Sequence, residues 1–231
     1  MNESEFDKFA DEYKHIHTNN IRVSGEMPEY FARYKIQDIS ELLSEQILCE
    51  LRILDFGAGI GTSVPYFQEF FPNAKITCLD VSNKCLDIGR NLYADIADFV
   101  AFDGQSIPYS DNTFDLVFAA CVFHHIPHDQ HPQILTELWR VTKRYGHCFF
   151  FEHNPYNPLT VRAVNTCPFD ENAVLIKASN FHQRVTDAGF CNVAHRFRIF
   201  FPRGLHHLRF IEPYLTWLPL GAQYYITGRK D

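Results

Sequence analysis

No two of the seven cysteines form a Cys-x-x-Cys pair, and their number is odd. A disulfide framework and a paired-cysteine zinc ribbon are therefore both poor readings, and reduced thiols in a cytoplasmic protein are expected. Basic residues are in deficit, with 21 Lys and Arg against 28 Asp and Glu, for a formal net charge of -7. A nucleic-acid-wrapping protein usually carries the opposite sign, so no nucleic-acid partner is expected. No apolar run is long enough to span a bilayer. The opening stretch, Met1 to Tyr13, is acidic and has no apolar core, unlike a signal peptide. There is no internal repeat and no low-complexity tract. What is present is apolar bulk: 46% of the 231 residues are hydrophobic, enough for one compact domain with a full core.

Residues 1–50 read as a helical cap. Phe6, Phe9, Ala10 and Tyr13 recur at helical spacing, as do Ile36, Ile39, Leu42 and Leu43, with breaks at Thr18–Asn20 and Ser24–Gly25. From residue 51 strand and helix signals alternate. Strands are predicted at 51–56, 75–79, 98–102, 114–121 and 148–151, and a helix at 133–141. This alternation predicts an α/β fold, a doubly wound, mostly parallel sheet. After residue 153 the three prolines of 154–170 read as a long irregular segment that serves a site. A helix over 178–188 and closing strands at 193–201 and 223–227 follow. Between the last two lies an apolar, proline-punctuated insertion, 202–221.

The first strand runs into Asp55-Phe56-Gly57-Ala58-Gly59-Ile60-Gly61. Glycines at a strand-to-helix turn let the backbone bend sharply and approach a ligand. The dinucleotide fingerprint Gly-x-Gly-x-x-Gly needs glycine at 62, where this chain has Thr62, so a pyrophosphate cradle is not specified. The second strand closes on Asp80, placed as a ribose-hydroxyl acceptor, and the third on Asp103-Gly104, placed to accept from an adenine amine. Each aspartate alone also reads as a helix cap. The ordered trio of glycine loop, Asp80 and Asp103 points to an adenosyl ligand without phosphates.

These residues bring a family into view. Leu54 to Thr62 resembles the first motif of class I S-adenosylmethionine-dependent methyltransferases. Ile107 to Val117 is similar to their approach to the fourth strand, Cys121 to His125 to the segment after it, and Glu137 to His147 to their helix-to-fifth-strand turn. The usual Pro-Gly-Gly of that turn is Arg144-Tyr145-Gly146 here. The resemblance covers about residues 50 to 153 and implies a Rossmann-like, seven-stranded sheet with S-adenosyl-L-methionine as cofactor. It implies cofactor contacts from Asp55, Gly57, Gly59, Gly61, Asp80, Val81, Asp103, Gly104 and Cys121. From the cap, Tyr13 would cover the methionine end and Arg33 meet its carboxylate, although both also read as packing residues.

In such enzymes the protein aligns a nucleophile, excludes water and sometimes removes a proton. His124 after the fourth strand, with His153 and Asn154 after the fifth, are the candidate catalytic residues. His125 and Glu152 read as structural, and Arg162 as solvated. His124, His125, His128 and His131 match no standard zinc spacing, and no metal is expected. The acceptor is expected to be a small molecule, lipidic or aromatic. An NAD-dependent oxidoreductase and a non-catalytic cofactor-binding module are the alternatives. A homodimer is among the expected partners. The insertion 202–221 reads as a lid or subunit contact, with a peripheral membrane contact as the other reading; its Trp217 and Leu218 lie near Arg203, His206, His207 and Arg209.

Overall fold

The computed structural model describes residues 25–231, so Tyr13 and the helical signals before it lie outside the described residues. Seven strands form one sheet: β1 Arg52–Phe56, β2 Lys75–Asp80, β3 Ala97–Ala101, β4 Phe114–Ala120, β5 Thr142–His153, β6 Cys191–Arg198 and β7 Gln223–Arg229. The spatial order is β3-β2-β1-β4-β5-β7-β6. Strands β1 to β5 run parallel, and β7 pairs antiparallel with both β5 and β6. This is the doubly wound sheet expected, with one reversed strand. Strand β5 is longer than predicted, because Thr142 already pairs with Phe114 before a register shift.

The helices are α1 Pro28–Leu42, α2 Val64–Phe70, α3 Asn83–Tyr93, α4 His131–Val141, α5 Pro158–Asn165 and α6 Ala178–Asp187. Alternation along the strands sends successive side chains to opposite faces. Phe149 and Phe151 join Ile36 and Ile39 of α1, Val64 and Phe67 of α2 and Leu86 of α3. Phe150, between them, faces the other way into Leu135 and Leu138 of α4 and Phe181 of α6. Helix α1 is thus part of the main core. Asp38 on it accepts both Nε and Nη2 of Arg198 at 2.6 Å, fastening α1 to β6.

One expectation is corrected. The segment 154–170 is not irregular: Asn157 caps α5 by accepting from Leu159 N and Thr160 N, and Pro158 occupies the first helical turn. Asparagine followed by proline is a helix start as much as a loop signal. Within 202–221, Pro202 lines a cavity, and residues Arg203–Tyr214 form a kinked 3-10 stretch outside its lining. Phe210, Tyr214 and Trp217 are 73%, 78% and 73% exposed.

Candidate active site

The chain winds outward from β1 in one direction through β2 and β3, then restarts at β4 and continues in the other. Between β1 and β4 the strand order reverses, and open α/β sheets bind ligands at the carboxyl ends beside such a point. A cavity of about 410 Å³ lies there, lined by the ends of β1, β2, β4 and β5, by the inner side of α1 and by α5.

One half of the cavity is made of backbone. Gly57 has φ +72°, and a Cβ on it would stand 2.5 Å from a methyl of Val122. Only glycine lets β1 pass the chain leaving β4. Gly59 also has positive φ, but a Cβ there would meet nothing within 4 Å: its open face is cavity. Asp80 pins this loop, its Oδ2 accepting from Gly59 N at 2.8 Å and its Oδ1 from Ser82 N at 2.9 Å. Asp55, at the same end of β1, is buried, and its Oδ2 has no hydrogen-bond partner among the described residues. Burial, and then the charge of Asp80, push its carboxyl up to about 8, with Lys35 opposing. A buried acceptor oxygen beside an open cavity suits a cationic ligand.

The other half is made of side chains. His124 and His125 lie in the 3-10 turn Phe123–His125 after β4. Glu152 of β5, fully buried, accepts from Val122 N, Phe123 N and His124 Nδ1, the last at 2.6 Å. On the other side of the ring, Nε2 of His124 stands 3.5 Å from Oδ1 of Asp170, which is also 3.4 Å from His125 Nε2. Burial works against a charge on His124, but Glu152 and Asp170 outweigh it and push the imidazole up to about 10. His153 is pushed down to about 4 by burial and by that neighbouring charge, and its Nδ1 lies 3.5 Å from Gln223 Nε2. Cys121, at the end of β4, holds φ +59°, a strained conformation for a non-glycine residue of the kind that gathers at sites.

Residues 54–150 match a family model described as methyltransferase domain. The chain is 28% identical over 124 residues to a ubiquinone/menaquinone biosynthesis C-methyltransferase from Hahella chejuensis, covering 51% of this chain and 49% of that one. It is also 28% identical over 152 residues to a demethylmenaquinone methyltransferase from Thermotoga maritima, covering 66% and 61%. A solved SAM-dependent methyltransferase from Thermotoga maritima superposes with a TM-score of 0.68 over 99% of both chains at 18% identity, which speaks to the fold. Residues 54–150 are thus similar to a methyltransferase domain, and the fold is that of the S-adenosylmethionine-dependent methyltransferases. The matches span about half the length of the curated relatives.

Asp55, Gly57, Gly59, Asp80, Cys121, His124 and His153 all line the cavity. Val81, Gly61, Asp103 and Gly104 do not. Gly61 packs on the Phe99 ring, and Val81 lies against Gly104. Asp103 stands exposed beyond β3, its Oδ1 accepting from Gln105 N and Ser106 N. Two placements are corrected. Arg33 points away from the cavity and pairs with Glu69 at 2.6 Å, because position 33 is on the outer side of α1. Asn154 is fully buried and holds the end of the insertion, donating to Pro219 O and Gly221 O. It therefore does not face an acceptor. His124 has both ring nitrogens engaged, which leaves no lone pair for a proton from substrate. His131 is a packing residue, its Nε2 bonded to Phe123 O and Ile126 O. Sequence reasoning missed Lys35, Asp170 and Gln223, all of which line the cavity. Lys35 stands two positions from Arg33, on the face of α1 whose neighbours Ile36 and Ile39 already carried the apolar signal. Asp170 ended the segment singled out as serving a site.

Proposed function

We propose that this protein transfers the methyl of S-adenosyl-L-methionine to a small-molecule acceptor bound in the same cavity. The observation that carries the reading is the pairing of Asp55's unpartnered, buried Oδ2 with the open face of Gly59, across from a wall of three imidazoles. A cofactor bearing an ammonium and a sulfonium suits the first side, and when bound it supplies an electrophilic methyl. Gly57 and Gly59 would let the methionyl portion lie against the backbone, and Asp80 would accept from the ribose hydroxyls. Asp103, exposed beyond β3 and outside the cavity lining, would have to accept from an adenine that extends past the cavity toward Val81 and Gly104.

On the opposite wall, His124 is a fixed cation held between Glu152 and Asp170. Its charge is matched by those two carboxylates, so it would shape and orient this wall rather than stabilise an anion on the acceptor. His153, whose Nδ1 faces Gln223 Nε2 at 3.5 Å, would hold the acceptor's nucleophilic atom by a hydrogen bond on this wall. Phe31, Leu159, Val164 and Ile199 give the cavity apolar walls, which supports an acceptor with a lipidic or aromatic body. Two similar proteins are named for quinone-pathway methylation, which points the same way.

No helix among the described residues is long and apolar enough to cross a membrane. A cytoplasmic enzyme is the reading we favour. The exposed rings of Phe210, Tyr214 and Trp217 make 202–221 a contact surface, and a peripheral lipid contact would bring an apolar acceptor near the cavity. A homodimer through the same face would appear instead as a concentration-dependent mass in sedimentation velocity.

Calorimetry with S-adenosylhomocysteine and with NAD tests the cofactor, and labelled-methyl transfer to quinone-like phenols tests turnover. Binding of S-adenosylhomocysteine alone, with His153→Ala lowering kcat while sparing cofactor affinity, is the expected result. NAD binding in its place would overturn the reading. Cofactor binding without turnover on any acceptor would reduce the protein to a binding module.

A further inference from the structure

The wall opposite the glycine loop contains more than positioning an acceptor requires. His124, His125 and Asp170 each present one ligand atom, and these atoms all lie within 4.8 Å of one another. Asp170 Oδ1 is 3.5 Å from His124 Nε2 and 3.4 Å from His125 Nε2. Donors bound at about 2.1 Å to a tetrahedral zinc stand roughly 3.4 Å apart. Two edges of the triangle already have that length without any ion. We propose that His124, His125 and Asp170 form a binding site for a divalent first-row transition metal, with its open side toward the cavity.

The surroundings carry the argument further than the triangle alone. A metal-binding histidine usually donates its second ring N–H to a carboxylate, which fixes the ring and raises its basicity. His124 does this: Nδ1 is 2.6 Å from Glu152 Oε2, leaving Nε2 as the atom directed at Asp170, where a bound ion would displace the Nε2 proton to solvent. Glu152 is itself held by Val122 N and Phe123 N, so the supporting carboxylate cannot swing away. The two segments that supply ligands are joined at the backbone, where Val174 N donates to His124 O at 2.8 Å. Two imidazoles and one carboxylate form a donor set for zinc, iron(II), cobalt(II) and their neighbours, and not for calcium or magnesium. All three ligands line the cavity, so an ion has a path in and an open position once bound. The sequence hid this site because its third ligand lies 45 residues beyond the histidine pair, outside any contiguous zinc spacing.

The site binds metal whether or not the methyl-transfer reading holds, so the test is run on metal alone. The purified full-length chain is stripped with a chelator and titrated with cobalt(II), following the visible d–d bands, and zinc is then added in competition. One cobalt per chain, with bands of a four- or five-coordinate ion that zinc abolishes, is the expected result. His125→Ala and Asp170→Asn should both remove the bands. Glu152→Gln should weaken binding by about 10- to 100-fold. His182→Ala serves as the control, because the His182 and His195 rings, 3.3 Å apart at Nδ1, are the rival surface site. Should His125→Ala fail to fold, the near-isosteric Asp170→Asn decides. The inference is overturned by a folded wild-type protein that gives no bands, or by bands that survive Asp170→Asn and vanish in His182→Ala. S-adenosylhomocysteine affinity is measured on the same samples. Metal binding with no cofactor binding would sink the methyl-transfer reading and leave the metal site standing.

Discussion

The two walls of the cavity are built by different means. Around Gly57, Gly59 and Asp80 the site is a backbone turn with two carboxylates, Asp55 and Asp80, from the ends of adjacent strands. Around His124, Glu152, His153 and Asp170 it is a network of side chains from three separate segments, each held by the others. A backbone site tolerates the loss of one side chain with a local effect. A buried charge network does not, because each partner removed leaves another unsatisfied.

That contrast predicts the largest effect at Glu152. Replacing it with Ala strips the partner from His124 and from two buried backbone N–H groups. The variant should lose about 3–5 kcal/mol of stability in urea denaturation. A loss under 1 kcal/mol would mean that the network is not coupled. On the other wall, Asp80→Ala should weaken S-adenosylhomocysteine binding by roughly 1.5–3 kcal/mol in calorimetry while the protein stays folded. Unchanged affinity would remove Asp80 from the cofactor side.

Legibility in the sequence follows the same division. The glycine loop and Asp80 could be read because local spacing specifies them, and the same holds for the strands they terminate. The histidine pair was visible as chemistry, but its partners were not: Glu152 read as an anchor without a partner, and Asp170 not at all. Contacts across 28 and 45 residues are set by how β4, β5 and the 168–170 turn meet, and no periodicity encodes that. Arg33 and Asn154 were misplaced for related reasons. A two-residue difference in helix phase decides between Arg33 and Lys35, and Asn154's amide was claimed by carbonyls 65 and 67 residues away.

A smaller effect, in pH, separates the walls again. Asp55 has a folded-state pKa of about 8 against an ordinary 3.8. The folded protein then keeps a proton that the unfolded chain releases, so stability falls as pH rises from about 4 through 8. Asp55→Asn should flatten this slope in denaturation curves taken across that range. A wild-type slope that persists in the variant would assign it to other groups. The smallest effect belongs outside the cavity. Phe210→Ala with Trp217→Ala should change stability by no more than about 0.5 kcal/mol per site, since both rings are solvated. The same pair should abolish co-sedimentation with anionic vesicles. Retained sedimentation, or a marked loss of stability, would show that the face is used differently.

On the proposed function, the cofactor side and the acceptor side of one cavity meet at the β1–β4 switch point. A crystal structure with S-adenosylhomocysteine bound should show the ribose on Asp80, the methionyl portion along Gly57 and Gly59 near Asp55, and the sulfur directed at the wall of His124, His125 and His153. Density for the ligand elsewhere, or a sulfur turned away from the histidines, would contradict that reading.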